Sequence, residues 1–371
     1  MNFPALTIGE LTARTPIVQG GMGVGISLSH LASAVANEGG IGVIAAAMIG
    51  MGEPDVVSDP VGANVRALRR EISRARAATR GILGVNIMVA LTTFNEMVRA
   101  AIESGTDIIF SGAGLPLELP KLYQEVCDRA KTHYKTKLVP IVSSGRAAMI
   151  IARKWLSRTG LVPDAFVLEG PRAGGHLGFS EEHLFDSAYA LDKLISGVTD
   201  TAKALEDKAG RAIPVIAGGG VWNGADIARL LRMGASGVQM ATRFVATDEC
   251  DADIRFKQAY VDARDEDVTI IHSPVGMPGR ALDNHFIEDA RQGKKKPFRC
   301  IFHCIKTCNP ETTPYCISSA LINAVRGNLD KGFVFCGANV GRVKAIVPVH
   351  DLIDSLRREY LSFMEQFRGE K

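Results

Sequence analysis

His176 follows directly on Gly174 and Gly175 in the stretch AFVLEGPRAGGHLGF, residues 165–179. An imidazole titrates near neutral pH, so on a loop held by a rigid scaffold it can take up or lend a proton. The two glycines leave bare backbone ahead of it, which lets the chain approach a flat or phosphorylated ligand. Glu169 ends the apolar run 165–169, and Asn86 and Gln239 fall near the ends of two further apolar runs. A polar group in that position needs a partner, supplied by a heterocyclic ligand or by a neighbouring loop. Taken singly, each has an ordinary reading as a loop histidine, a turn glycine or a core amide.

A second set of reactive side chains lies far downstream. Cys300, Cys304, Cys308 and Cys316 put four of the seven cysteines within seventeen residues. The spacing of three, three and seven intervening residues matches no zinc ribbon, where paired short spacings are usual. Three readings stay open: a 4Fe–4S cluster with these four as metal ligands, a redox disulfide, or a buried helical stripe of small apolar side chains. On one continuous helix Cys300 and Cys308 would stand about 12 Å apart, too far for one cubane. The cluster therefore requires the segment to be broken.

Composition sets the class of scaffold. The 371 residues are 46% hydrophobic with 38 glycines and 6% aromatics, which fits an α/β enzyme with many tight strand-to-helix turns. The 43 basic residues nearly balance the 40 acidic ones, so charge gives no case for nucleic acid or a membrane surface. The run Lys294, Lys295 and Lys296 reads as a solvated loop. The first residues lack the basic start and apolar centre of a signal peptide, and no apolar run is long enough for a bilayer. With an odd number of cysteines, this predicts a reducing, cytoplasmic setting. The partners expected are a small-molecule substrate and, in a homodimer, a second copy of the chain.

The elements that would position these side chains alternate regularly. Apolar runs at 16–19, 42–47, 83–88, 107–110, 138–142, 165–169, 213–217 and 237–240 predict strands. Helical periodicity falls between them over 28–37, 61–79, 93–104, 119–130, 146–156, 184–195 with 201–209, and from Asn223 or Asp226 to 233. Ser27 or Ser29 is the expected cap of the first helix. Such alternation demands parallel strands with right-handed crossovers, and eight of them close into a TIM (β/α)8 barrel. An open dinucleotide-binding sheet is the competitor, but Gly21, Gly23 and Gly25 lack its full fingerprint. Residues 1–264 are read as the barrel and 265–371 as a C-terminal extension, with a lid at 272–280, a segment at 333–338 packing it, and a closing helix over 352–367.

In such a barrel the loops after the strands make the functional face. That face would carry 20–25, Asn86, 111–114, Ser143 and Ser144, 169–176, 218–220 and 239–242. Glycines at 218–220 and the Ala241–Thr242 turn together form a nest of backbone N–H groups suited to phosphate. Asp107 and Asp164 begin strands and belong to the opposite, structural face.

The segments PIVQGGMG, GVNIM, GAGLP, AGGHLGF, IPVIAGGGVWNG and GASGVQMATRF, in this order and spacing, resemble the nitronate monooxygenase (2-nitropropane dioxygenase-like) family. They are similar, too, to the flavin-dependent enoyl-acyl-carrier-protein reductases built on the same barrel. The likeness extends over about residues 14 to 250. It implies an FMN cofactor held by Gly21, Met22, Gly23, Asn86, Glu169, Gly174, Gly175, Gly218, Gly219, Gly220, Gln239, Met240, Ala241 and Thr242. It also implies phosphate at Gly219, Gly220, Ala241 and Thr242, and the isoalloxazine near Met22, Asn86, Gly174 and Gly175. His176 matches the family's catalytic histidine, a base or polarising group beside flavin N5.

The chain departs from the family pattern at three places. Arg172 stands where a glutamate is common, Ser143 and Ser144 where a basic residue is frequent, and Glu169 where a glutamine is usual. Arg172 can recognise an anionic substrate or a cofactor phosphate. The leading expectation is an FMN-dependent oxidoreductase acting on alkyl nitronates or a related small anion. The alternative is an NAD(P)H-driven reductase of an enoyl thioester or quinone, with iron–sulfur as its relay. A phosphate-binding barrel without redox chemistry is the third reading.

Overall fold

The computed structural model describes residues 3–295 and 299–366. Lys296 of the basic run and Phe367 at the expected end of the closing helix lie outside the described residues. The chain opens with an antiparallel hairpin, β1 (Leu6–Ile8) and β2 (Leu11–Ala13). Leu6 and Ile8 join Val18, Ile41, Ile108, Phe110, Val139 and Val167 in one buried cluster, so the hairpin plugs one mouth of the structure that follows.

That structure is a closed parallel barrel. Its strands are β3 (Ile17–Gln19), β4 (Ile41–Ala45), β5 (Ile82–Met88), β6 (Ile108–Gly112), β7 (Lys137–Val142), β8 (Phe166–Glu169), β10 (Val215–Gly218) and β11 (Gly237–Met240). The two-residue strand β9 (Gly175–His176) lies outside the ring. Strands buried on both faces read as unbroken apolar runs, and β3, β4, β6 and β10 are buried along their whole length. The expected fold class is thus the observed one.

Helices cover the outside: α1 (Ser29–Asn37), α2 (Pro60–Ala78), α3 (Phe94–Glu103), α4 (Leu119–Ala130), α5 (Gly145–Thr159), α6 (Leu191–Ala209) and α7 (Gly224–Arg232). After β11 come the short α8 (Thr242–Val245) and α9 (Ile254–Asp262), then α10 (His285–Arg291) and α11 (Ile317–Val325). The last helix, α12 (Val349–Gln366), returns to pack on α7 and α1 and fills the remaining outer position. Among the described residues no helix is long and apolar enough to cross a membrane.

Four local expectations need correction. In place of helical pieces at 184–195 and 201–209 there is one helix from Leu191 to Ala209, because Ile195, Val198, Ala202 and Leu205 continue a single buried stripe across the gap, while 184–190 holds only short 3-10 turns. Neither Ser27 nor Ser29 caps α1: the Ser29 hydroxyl donates to Glu71 at 2.7 Å, and Asp251 accepts the N–H groups of Leu28 at 2.8 Å and Leu31 at 3.3 Å. The lid at 272–280 is not a free loop. β12 (Val268–His272) and β13 (Pro278–Leu282) pair antiparallel, and β13 also pairs with β9, setting Gly279 opposite His176. Finally, 300–308 forms no helix; His303 is left-handed, with φ 44°, and Ile305 bridges to Leu91. The helical stripe of cysteines is therefore absent.

The two aspartates at the strand starts behave as expected. Asp107 accepts from Arg76 at 2.6 Å and from the N–H of Leu83 at 2.8 Å. Asp164 accepts from Arg211 at 2.5 Å and the N–H of Leu138 at 2.7 Å. Both tie strands together at the structural end of the barrel. Chemistry is left to the other end.

Candidate active site

The strand ends at that face open into a cavity whose floor is formed by Gly20 to Val24, Asn86, Glu169 and Gln239. One wall runs from Arg172 to His176, and the other from Gly219 to Trp222 with Met240 to Thr242. The roof comes from the extension: Leu321 on α11 and the segment from Phe335 to Asn339. Of the residues expected to hold a cofactor, Gly21, Met22, Gly23, Asn86, Glu169, Gly174, Gly175, Gly219, Gly220, Gln239, Met240, Ala241 and Thr242 all line this cavity, as does His176. Gly218 does not; it is buried at the end of β10, where its carbonyl accepts the N–H of Gly170 at 2.9 Å.

His176 is placed by sheet pairing. Its Nε2 lies 2.7 Å from the Ser273 hydroxyl, and its ring meets Phe335 edge-on at 5.0 Å. Burial pushes its pKa down to about 4, so the imidazole is neutral through the physiological range. Glu169 faces the same space from the end of β8, and burial pushes its carboxyl up to about 7. The Gln239 amide lies 3.4 Å from Glu169 Oε1. At neutral pH that carboxyl is therefore divided between a hydrogen-bond donor and an anion.

Several groups in the cavity wall are ready to receive a ligand. The Asn86 side-chain amide has no hydrogen-bond partner among the described residues, so the cavity is where it must find one. The N–H groups of Gly219, Gly220 and Ala241 likewise donate to no acceptor among the described residues. Gly219 has φ +93°, and a Cβ there would stand 2.7 Å from the Gly170 carbonyl oxygen, so only glycine fits. Gly174 is glycine for a different reason from the one expected. A Cβ would meet the Cys336 backbone at 2.5 Å, so protein packing already claims that space.

Positive charge gathers at the Gly219–Trp222 side. Arg172 donates to Asn339 Oδ1 at 2.7 Å, and the Asn339 amide donates to the Gly220 carbonyl at 2.8 Å. Arg243 and Arg342 lie against the Trp222 ring, at 5.1 and 4.8 Å from its centroid. Burial holds the Arg243 guanidinium below its usual pKa; Glu359 nearby opposes that shift and Arg342 adds to it.

Other expected residues serve structure. Ser111 donates to the Ile87 carbonyl at 2.9 Å, and Ser144 caps α5 by accepting from Ala147 at 3.2 Å. Asn339 and Tyr260 line the cavity without having been singled out by sequence patterns, whereas Phe335 fell in the segment 333–338 expected to pack the lid and Trp222 in the motif IPVIAGGGVWNG. The lid at 272–280 contained Ser273 but gave no sign of its contact with His176. Cys300, Cys304, Cys308 and Cys316 do not line the cavity, and among the described residues no three His, Cys, Asp or Glu side chains are arranged to hold a single metal ion.

Comparison with known proteins gives a consistent setting. The model of the nitronate monooxygenase family matches residues 6–359. A probable nitronate monooxygenase of Staphylococcus saprophyticus is 25% identical over 348 residues, 88% of this chain and 87% of the relative. A (3aS,4S,5R,7aS)-5-hydroxy-7a-methyl-1-oxo-octahydro-1H-indene-4-carboxyl-CoA dehydrogenase of Mycobacterium tuberculosis is 29% identical over 280 residues, 76% of this chain and 66% of the relative. Among solved structures, FabK from Thermotoga maritima superimposes with a TM-score of 0.73 at 28% identity, covering 96% of both chains.

Proposed function

The chain belongs to the nitronate monooxygenase family and is an FMN-dependent oxidoreductase of that type, and we propose that it oxidises alkyl nitronates or a related small anion beside His176. FMN, when bound, supplies the electron-accepting ring; the remaining roles fall to side chains of this protein. The N–H groups of Gly219, Gly220 and Ala241 with Arg172 hold the phosphate. Asn86 meets the polar edge of the heterocycle, and Met22 and Gly23 lie along the same floor. The observation that carries the reading is the pairing, in one cavity, of unsatisfied N–H donors at a basic end with a half-buried neutral imidazole at the other.

His176 then has two linked tasks. In the empty site it is a weak base, because burial penalises the imidazolium. An anionic substrate beside it raises its proton affinity, so the ring takes up a proton from solvent as the anion binds, holds the substrate oxygens as imidazolium, and returns that proton to solvent once the substrate's negative charge is lost. Ser273 orients the ring during that exchange. Phe335 and the roof segment keep water from the reacting atoms. The test is direct: flavin released from the purified protein is identified, and turnover of an alkyl nitronate in air is measured. Bound FMN with nitronate-dependent oxygen uptake supports the reading; a protein that neither retains nor takes up FMN overturns it.

A second reading has its own support. The basic rim of Arg172, Arg243 and Arg342, and a relative acting on a carboxyl-CoA, suit a phosphorylated donor or thioester. In that case NAD(P)H supplies the electrons and the substrate is an enoyl thioester or quinone. Rapid bleaching of the flavin by NADH or NADPH without air selects this reading over a strict nitronate oxidase.

A further inference from the structure

We infer that Arg280 is a positioning residue that makes the cavity select a small anion over a neutral molecule of the same shape. It acts from behind the His176 wall, by turning two peptide N–H groups towards the ligand. The inference rests on the reading of this cavity as the substrate site, but not on a nitronate being the substrate. Arg280 lies on β13, opposite Gly175 in the pairing with β9, and its neighbour Gly279 is opposite His176. It is 4% exposed and does not itself line the cavity. Its guanidinium donates to the carbonyls of Pro171 and Ala173, each at 2.6 Å.

A buried cation is costly unless a carboxylate stands beside it. Among the described residues Arg280 has none: its recorded partners are the two carbonyls. The titratable side chains that bear on it are Cys336 and Arg172. Burial pushes the Cys336 thiol up to about 12, so it brings no negative charge at neutral pH. Arg172 adds a second positive charge. A guanidinium does not lose its proton in this range, so the charge stays and is offset only by carbonyl dipoles. The cavity, one peptide group away, is the space in which a mobile anion can meet it.

The peptide groups carry the effect through the wall. In a planar trans peptide the C=O and N–H point in opposite directions. Drawing the Pro171 and Ala173 carbonyls to Arg280 therefore turns the N–H groups of Arg172 and Gly174 away from it. Arg172, Ala173 and Gly174 line the cavity, so the side away from Arg280 is the ligand side. Neither N–H donates to an acceptor among the described residues. The wall is also tied to the roof by backbone alone. The Arg280 carbonyl accepts the Cys336 N–H at 3.1 Å, the Arg172 carbonyl accepts that of Ala338 at 3.1 Å, and Ala281 bridges to Phe335. Those ties do not need the guanidinium, so the wall persists in a variant that lacks it.

The test compares butanoate with butanamide, alike in shape and different in charge, binding to the full-length protein saturated with FMN. Calorimetry at pH 6 keeps His176, with its pKa of about 4, and Glu169, at about 7, largely uncharged before the ligand arrives. The parent should bind butanoate about 10-fold or more tightly than butanamide. Arg280→Met should bring that ratio to about 2 or below while butanamide binding stays within about twofold of the parent. Arg280→Lys, which returns the charge, should restore the ratio to within about threefold. The preference should persist in His176→Asn, where no imidazolium forms. A parent that binds both ligands equally overturns the inference, whatever becomes of the variants. So does an Arg280→Met protein that keeps the preference, a His176→Asn protein that loses it, or equal loss of both ligands that Arg280→Lys does not repair. A preference set by Arg280 in a protein that leaves alkyl nitronates unoxidised sustains the inference and sinks the nitronate reading. Nitronate turnover without that preference does the reverse.

Discussion

The Ser273 hydroxyl stands 2.7 Å from His176 Nε2, although 97 residues separate the two in sequence. Ser273 Oγ also accepts the N–H of Val275 at 3.2 Å, which holds the hydroxyl in place beside the imidazole. In either tautomer the pair shares one hydrogen bond, which fixes the ring by a residue of the lid hairpin. Ser273→Ala should lower kcat by about 2–10-fold, the worth of one hydrogen bond. It should also shift the acid limb of the pH profile, which a merely structural serine would leave in place. Ser273→Thr should restore both.

Burial of His176 has a consequence for pH. Its folded pKa of about 4 lies below the ordinary 6.5, so between these values the unfolded chain takes up a proton that the fold refuses. Stability is therefore lost as pH falls from 6.5 towards 4. Before substrate binds, kcat/KM should stay level down to about pH 5, with no break near 6.5. Thermal melts should show a smaller drop between pH 7 and pH 5 in His176→Asn than in the parent.

Glu169 has the opposite sign. Its carboxyl is raised from the ordinary 4.5 to about 7, so the fold holds a proton that the unfolded chain releases between those values. The stability this brings is complete below pH 4.5 and disappears as pH rises through 7. Glu169→Gln, which removes the buried charge, should stabilise the cofactor-free protein at pH 8 by roughly 2–3 kcal/mol and leave it unchanged at pH 4. Denaturant melts at the two pH values decide this.

Arg172 reaches Asn339, which in turn holds the Gly220 carbonyl, so one side chain braces the glycine turn and adds charge beside it. Arg172→Ala should weaken FMN binding by about 10-fold or more while altering riboflavin binding much less, since riboflavin has no phosphate. Equal losses for both flavins would remove Arg172 from the phosphate site. Fluorescence titration of the cofactor-free protein measures both.

Much of this site could be read from sequence because a barrel converts local pattern into position. Several apolar runs end in glycine turns, and all the strand ends meet at one face, so Asn86, Glu169, Gly219 and Gln239 converge without any knowledge of distant pairing. What stayed hidden depends on contacts between remote segments. Asp251 caps α1 from more than two hundred residues away, and no local signal near Leu28 announces it. The pairing of β9 with β13 rests on a strand of two residues, too short to leave a period. The Cys300–Cys308 spacing matches a helical stripe, but the left-handed residue at His303 and the bridge from Ile305 to Leu91 override it.

The most direct test mixes the FMN-loaded protein with an alkyl nitronate without air and follows loss of the flavin absorbance, in the parent and in His176→Ala. The parent should bleach completely in a single turnover, and the variant should do so about 10²–10⁴-fold more slowly with its flavin still bound. Equal rates in the two proteins, or no bleaching in the parent, would contradict oxidation of a nitronate beside His176.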